Sequence, residues 1–80
     1  MTAGFREDKV TFEIIETLGK IGEAKNGYQK EVAIVAWNHR EPKIDIRSWD
    51  EAHLRMTKGI TLTDEEAHEL YEALKARYEK

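Results

Sequence analysis

Residues 43–49, with the sequence KIDIRSW, alternate aliphatic side chains with polar or aromatic ones, and this limits the chain to folds with a half-buried strand here. Because side chains alternate between the two faces of a strand, Ile44 and Ile46 share one face. Arg47 and Trp49 share the other face. The aliphatic face requires a core to cover it, whereas a face that carries cations and a tryptophan is typical of a binding surface.

Three further segments have the patterns of strands. Residues 10–21 alternate, with a change of phase at Ile14-Ile15 that predicts a β-bulge. Residues 28–37 are apolar on both faces, which is typical of a central strand or of a contact between chains. Asn26-Gly27, between these two segments, is the strongest hairpin signal in the chain. Residues 58–62 form a short fourth strand that follows a polar loop.

The C-terminal segment 64–79 has the pattern of one helix. Thr63 and Glu66 form a capping box, and the acidic first turn suits the helix dipole. An apolar stripe follows at helical spacing, and we assign it to the core or to a dimer contact. Its members are Leu70, Tyr71, Leu74 and Tyr78. The predicted fold is therefore α+β, a four-stranded antiparallel sheet followed by one C-terminal helix (β-β-β-β-α).

The length of 80 residues predicts a single domain over 1–80, with residues 1–9 disordered, residues 10–63 in the sheet and residues 64–79 in the helix. A core of this size usually needs a disulfide, a metal or a partner chain. The chain has no cysteine, so we expect a homodimer. No apolar run reaches membrane-spanning length, so we expect no membrane partner. The lack of cysteine also suits a reducing cytoplasm.

The net charge of −3 argues against a polyanionic ligand only when it is averaged over the chain. Residues 64–80 contain six acidic and three basic residues, whereas residues 1–63 contain ten of each. A polyanion responds to the field at its own site rather than to this average. A nucleic acid therefore remains compatible with the N-terminal part of the chain.

The order KIDIRSW at 43–49, a loop, KGITL at 58–62 and an acidic-capped helix resembles the transcriptional coactivators known as positive cofactor four. The resemblance is closer to the small bacterial YdbC-like members of that family. It extends over most of the chain through FEIIE at 12–16, Tyr28, Lys30-Glu31, Trp37-Asn38 and Glu41-Pro42-Lys43.

This resemblance implies a β-β-β-β-α fold, a homodimer, and single-stranded DNA bound across the exposed sheet. By their positions in the motif, the resemblance implies that Arg47, Trp49 and Lys58 are binding residues. Trp37 falls near an aromatic residue of the family. It also implies a bacterial protein of the cytoplasm or nucleoid that assists transcription, replication or repair. The basic second strand of eukaryotic members is replaced by residues 33–35 (AIV), which argues against tight binding.

Aromatic side chains stack on the bases of single strands without reading sequence, for roughly 1–3 kcal/mol per base, and cationic side chains follow the phosphates. Single-stranded RNA offers the same groups. The candidate nucleic-acid-binding residues are Trp37, Trp49 and Tyr28, with Lys30, Arg40, Lys43, Arg47 and Lys58.

Structural alternatives exist for several of these residues. Trp37 shares its face with apolar neighbours and is as well explained by packing as by stacking. Arg47 has Asp45 on its own face and is also explained by an ion pair. Lys58 has the parity of the aliphatic Ile60, so a twist or bend is needed to turn it to a ligand.

Catalysis and protein interaction are the alternatives to nucleic-acid binding. Glu65 and His68, and separately Asp50 and His53, have the spacing of metal ligands, but neither pair has a third ligand. We therefore expect no catalysis, no cofactor, no metal and no small-molecule substrate. The remaining alternative is a protein-interaction adaptor that uses the open sheet face.

Overall fold

Four antiparallel strands and one helix follow one another in the computed structural model, which describes residues 10–79. They are β1 (Phe12–Lys25), β2 (Tyr28–Trp37), β3 (Lys43–Asp50), β4 (Ile60–Leu62) and α1 (Asp64–Tyr78). Each strand pairs with the next, which gives the sheet order β1-β2-β3-β4. The predicted order of elements is confirmed, while the disorder predicted for residues 1–9 lies outside the described residues.

The β1–β2 hairpin has the turn that the sequence predicts. Lys25 pairs with Tyr28 across a two-residue turn, in which Asn26 and Gly27 have φ angles of 55° and 84°. Positive φ at both central residues matches the twist of the flanking strands. The register of β1 shifts between Ile14 and Glu16, which confirms the predicted bulge, and β1 carries two further shifts.

The sheet has two chemically different faces. The aromatic face carries Phe12, Ala33, Val35, Trp37, Asp45, Arg47 and Trp49, and the helix face carries Val32, Ile34, Ile44 and Ile46. The helix lies on the side of Ile44, which lines one cavity together with Ala67 and His68. The prediction that Ile44 and Arg47 lie on opposite faces of the sheet is therefore confirmed.

The buried core lies on the face opposite to the helix. Ala33, Val35 and Trp49 are buried there, with Phe12 and Met56 packed against them. The sequence interpretation, which placed the core under the aliphatic face, is wrong for the single chain. The physical reason is that α1 contacts only β3 and β4 among the described elements, so it covers little of the helix face.

The helix begins as predicted but is not packed as predicted. Thr63 Oγ1 accepts a hydrogen bond from the Glu66 backbone N–H at 3.1 Å, and Glu66 Oε1 accepts one from the Thr63 backbone N–H at 2.9 Å. No residue of α1 is buried. The side chains predicted as core or dimer contact are exposed, which excludes a core role within one chain: Leu70, Tyr71, Leu74 and Tyr78. Within residues 10–79, no helix is both long enough and apolar enough to cross a bilayer.

Candidate nucleic-acid interface

Four aromatic rings form a continuous row on the aromatic face. The Trp37 and Trp49 rings lie 6.3 Å apart between centroids and are nearly parallel, at 14°. Phe12 lies 5.7 Å from Trp37 and 5.1 Å from Trp49, and His53 lies 5.8 Å from Trp49. Rings at these separations attract one another beyond the effect of burial. We call Phe12, Trp37, Trp49 and His53 the ring row.

Arg47 lies at one end of the ring row. Its guanidinium carbon is 4.6 Å from the centroid of Trp37, within the range of a cation–π contact. Asp45 holds the guanidinium in place with bonds of 2.6 Å from Nε and 2.9 Å from Nη2. Thr61 Oγ1 donates a third bond to Asp45 at 2.8 Å. Asp45 is 1% exposed and therefore needs this partner, so the alternative interpretation of Arg47 as an ion-pair residue is confirmed.

Gly59 allows the chain before β4 to approach Arg47 closely. A Cβ atom at Gly59 would clash with Arg47 Cβ and with the Ile46 carbonyl oxygen. A β-bulge lies between the pairs Trp49–Met56 and Ile46–Ile60, because residues 47–48 of β3 face residues 57–59 of the segment that leads into β4. Lys58 lies in this bulge and is exposed, and its role in binding stays a prediction.

His53 lies at the other end of the ring row, in the loop after β3. Its Nε2 atom is 3.0 Å from both carboxylate oxygens of Glu31, and its Nδ1 atom is 3.2 Å from the Glu51 carbonyl oxygen. Glu31 is only 3% exposed, although it belongs to a strand of a small sheet. At this end of the ring row, as at the Arg47 end, a buried carboxylate contacts a side-chain nitrogen.

Asp50 fixes the same loop from its base. Its Oδ1 atom accepts hydrogen bonds from the backbone N–H groups of Leu54 at 2.8 Å and Arg55 at 2.9 Å. The backbone N–H of Arg55, with smaller effects from Leu54 and the Arg55 charge, holds the pKa of Asp50 below its ordinary value. These two hydrogen bonds anchor the loop to the end of β3.

Trp49 occupies the predicted face but not the predicted environment. It is 1% exposed, in contact with Phe12 and His53, and Met56 packs on the same cluster. The expectation of an open stacking surface at Trp49 is wrong in this conformation, because β1 and the loop after β3 both fold over it. Trp37 is half-buried, so it packs against the core and still has part of its surface accessible.

The predicted cationic residues divide between different parts of the surface. Lys43 is on the aromatic face opposite Val35, and the Arg40 backbone N–H donates to the Trp37 carbonyl oxygen at 2.9 Å. Both cationic residues are exposed and have no ion-pair partner within residues 10–79. Lys30 alternates with buried Glu31 and so lies on the helix face, away from Trp37.

Tyr28 lies at the hairpin end of the sheet rather than beside Trp37. It lines one cavity with Lys30 and Thr57 and another with Trp49 and His53. The structure therefore brings Trp37, Lys43 and Arg47 together on the aromatic face. Arg40 lies in the turn that follows Trp37, at the same end of the sheet as Lys43.

Four residues that build this site were not among the predicted binding residues, although Asp45 was named as a partner of Arg47 and His53 as a possible metal ligand: Phe12, Glu31, Asp45 and His53. The alternation of β1 contained a signal for Phe12, and shared parity with Arg47 contained one for Asp45. Glu31 and His53 are 22 positions apart, and no spacing pattern connects them. In the described part of the chain, the buried Nε1 atoms of both tryptophans have no hydrogen-bond partner.

Three residues of the two possible metal pairs have other side-chain contacts in this structure. Asp50 binds backbone N–H groups of its own loop, whereas His53 binds Glu31. His68 lies 3.7 Å from Glu72, one helical turn further on, and both side chains are exposed. These residues are therefore accounted for by loop and helix contacts.

The family model described as Transcriptional Coactivator p15 (PC4) matches residues 24–73. The chain belongs to this family. An uncharacterized protein of Treponema pallidum (strain Nichols) is 35% identical over 60 residues, which cover 75% of this chain and 71% of that protein. The resemblance found in the sequence is therefore confirmed. The part that matches the p15 coactivator family contains both tryptophans and both carboxylate pairs of the ring row, but not Phe12.

Proposed function

We propose that this chain binds single-stranded DNA with little sequence preference. The observation that carries the proposal is the half-buried ring of Trp37, with exposed Arg40 and Lys43 at the same end of the aromatic face. A base that stacks on an aromatic ring gains roughly 1–3 kcal/mol. Membership of a coactivator family associated with nucleic-acid binding supports a DNA ligand.

In this mechanism the residues of the site have different tasks. Trp37 is the stacking surface, and Arg40 and Lys43 contact phosphates, because neither has an ion-pair partner within residues 10–79. Arg47 contributes less charge, since Asp45 neutralises it, and instead keeps the Trp37 ring in place. Duplex DNA hides its base faces, so a single strand is the preferred ligand, and single-stranded RNA is the natural competitor.

We also propose that two copies of the chain form a homodimer, and that the protein has no catalytic activity. Leu70, Leu74 and the Ile60 side chain are exposed on α1 and β4, and a second copy of the chain would cover them. Burial of these groups would supply the core that a chain of 9.3 kDa lacks by itself. The protein then acts by binding alone, without a metal or cofactor, as an accessory to transcription, replication or repair in a bacterial cytoplasm.

The exposed apolar side chains of α1 also favour a second candidate function, a protein-interaction adaptor. The two functions differ in their dependence on salt. Binding to single strands weakens with salt by about 0.7 in log affinity per log salt for each neutralised phosphate. An apolar protein contact changes little with salt.

Lys43 and Lys30 offer a matched test, because each is an exposed lysine on a neighbouring strand of the same sheet but they lie on opposite faces. We expect Lys43→Ala to weaken oligo-dT binding and to reduce its salt slope by about 0.7. Lys30→Ala should leave both quantities unchanged. Equal effects of the two substitutions, or a binding constant independent of salt, would contradict the proposed interface.

A further inference from the structure

A cavity of about 330 Å³ lies between the hairpin end and the loop after β3. Trp49, Glu31 and His53 are among its lining residues. Trp49 is covered on this side by the imidazole ring of His53, at 5.8 Å between ring centroids. The position of His53 therefore decides how much of Trp49 a ligand in this cavity can reach.

Both ring nitrogens of His53 face atoms that only accept hydrogen bonds. Nδ1 is 3.2 Å from the Glu51 carbonyl oxygen, and Nε2 is 3.0 Å from the two oxygens of Glu31. A neutral imidazole has one N–H and can donate to only one of these partners, whereas an imidazolium donates to both. A protonated ring places a positive charge 3.0 Å from the buried Glu31 carboxylate, whose cross-strand neighbours are Lys20 on β1 and Arg47 on β3.

The backbone at His53 is held in an uncommon conformation. Its φ angle is 59°, in the left-handed region that residues other than glycine rarely adopt. Such conformations persist where surrounding contacts stabilise them. Two sets of contacts are present here: the ring contacts Glu31 and Glu51, and the His53 backbone N–H donates to the Asp50 carbonyl oxygen at 3.0 Å.

We propose that His53 is a positioning residue for Trp49. Its protonated ring, held between Glu31 and Glu51, closes one side of Trp49, and loss of the proton opens that side to a nucleotide base. Only the identity of the ligand rests on the proposed function. The opening itself is a property of the free protein.

The other titratable groups around this cavity identify His53 as the group that changes. Lys20 comes from β1, Tyr28 and Glu31 come from β2, and Asp50 and Glu51 come from the end of β3 and the loop. Among these residue types, only histidine ordinarily changes its charge between pH 5 and 8. The test therefore compares the two ends of this pH range.

The test measures quenching of Trp49 fluorescence by acrylamide in the free protein. Trp37→Phe leaves Trp49 as the single tryptophan of the chain. Losing a charge-assisted hydrogen bond changes the ratio of open to closed loop by about tenfold or more, so quenching should increase from pH 5 to pH 8. In His53→Gln added to this background, the profile should be flat, because glutamine donates an N–H but carries no charge.

A flat profile with His53 present, or the same rise in His53→Gln, would overturn the proposal. Nitrogen-15 NMR of the ring in the unsubstituted protein provides a second test that needs no variant. We expect both ring nitrogens to be protonated at pH 5.5, and a neutral tautomer at that pH would also overturn it. Neither measurement contains DNA, so a failure here is distinct from a failure to bind single strands.

Discussion

Asp45 and Glu31 are the two buried carboxylates of residues 10–79, and each holds one end of the ring row. Asp45 orients Arg47 on Trp37, and Glu31 holds His53 beside Trp49. Removing Arg47 would leave the buried Asp45 carboxylate without its cationic partner, which is strongly destabilising. These pairs therefore determine the positions of the rings as well as their surroundings.

Trp49 should behave as a core residue in mutagenesis. We expect Trp49→Ala to lower the free energy of unfolding by about 3–5 kcal/mol, because it removes a buried aromatic side chain. The measurement is urea unfolding followed by circular dichroism. Leu54→Ala is the control, since Leu54 is 74% exposed, lies outside α1, and its loss should change stability by about 0.5 kcal/mol or less. A stable Trp49→Ala protein that has lost DNA binding would instead show that Trp49 is an open binding residue.

The elements of the sheet could be predicted because they depend on local patterns. Alternation located β3, a run of residues apolar on both faces located β2, and Asn26-Gly27 located the hairpin turn. The boundaries were less predictable: β1 continues to Lys25, through a segment with no clear alternation. The fourth strand begins at Ile60 rather than at Lys58, because the bulge at Gly59 interrupts the pairing.

The exposed face of α1 gives a prediction at the scale of the element. Leu74 is 48% exposed in the single chain, so Leu74→Ala removes little that is buried there. If a second copy covers it, we expect the substitution to weaken self-association by about 2–5 kcal/mol, the cost of truncating a buried leucine. Sedimentation equilibrium would then detect a shift from twice the chain mass of 9.3 kDa toward the single-chain mass.

Glu72→Ala is the control for this helix, because Glu72 is exposed and contacts only His68 among the described ion pairs. It should leave the measured mass unchanged. A dimer that withstands Leu74→Ala as well as Glu72→Ala would show that the apolar stripe of α1 is not the contact between copies.

At the scale of the whole molecule, the protein is a thin, open structure of 52 × 29 × 17 Å. The sequence predicted which side chains share a face, since parity is a local property. It did not predict that the aromatic face would be the buried one, because that depends on β1 and the loop after β3 folding over Trp49. Of the candidate site, the sequence could predict that Lys43 shares a face with Arg47 and Trp49, whereas the expectation that Trp49 is open was wrong.

The central claim is that the aromatic face binds single strands by stacking and phosphate contacts. Its most direct test is a titration of tryptophan fluorescence with oligo-dT and with a duplex of the same length, each at low and at physiological salt. We predict quenching by the single strand alone, with an affinity that decreases as salt increases. No response to either ligand at low salt would contradict the claim and favour the protein-interaction function.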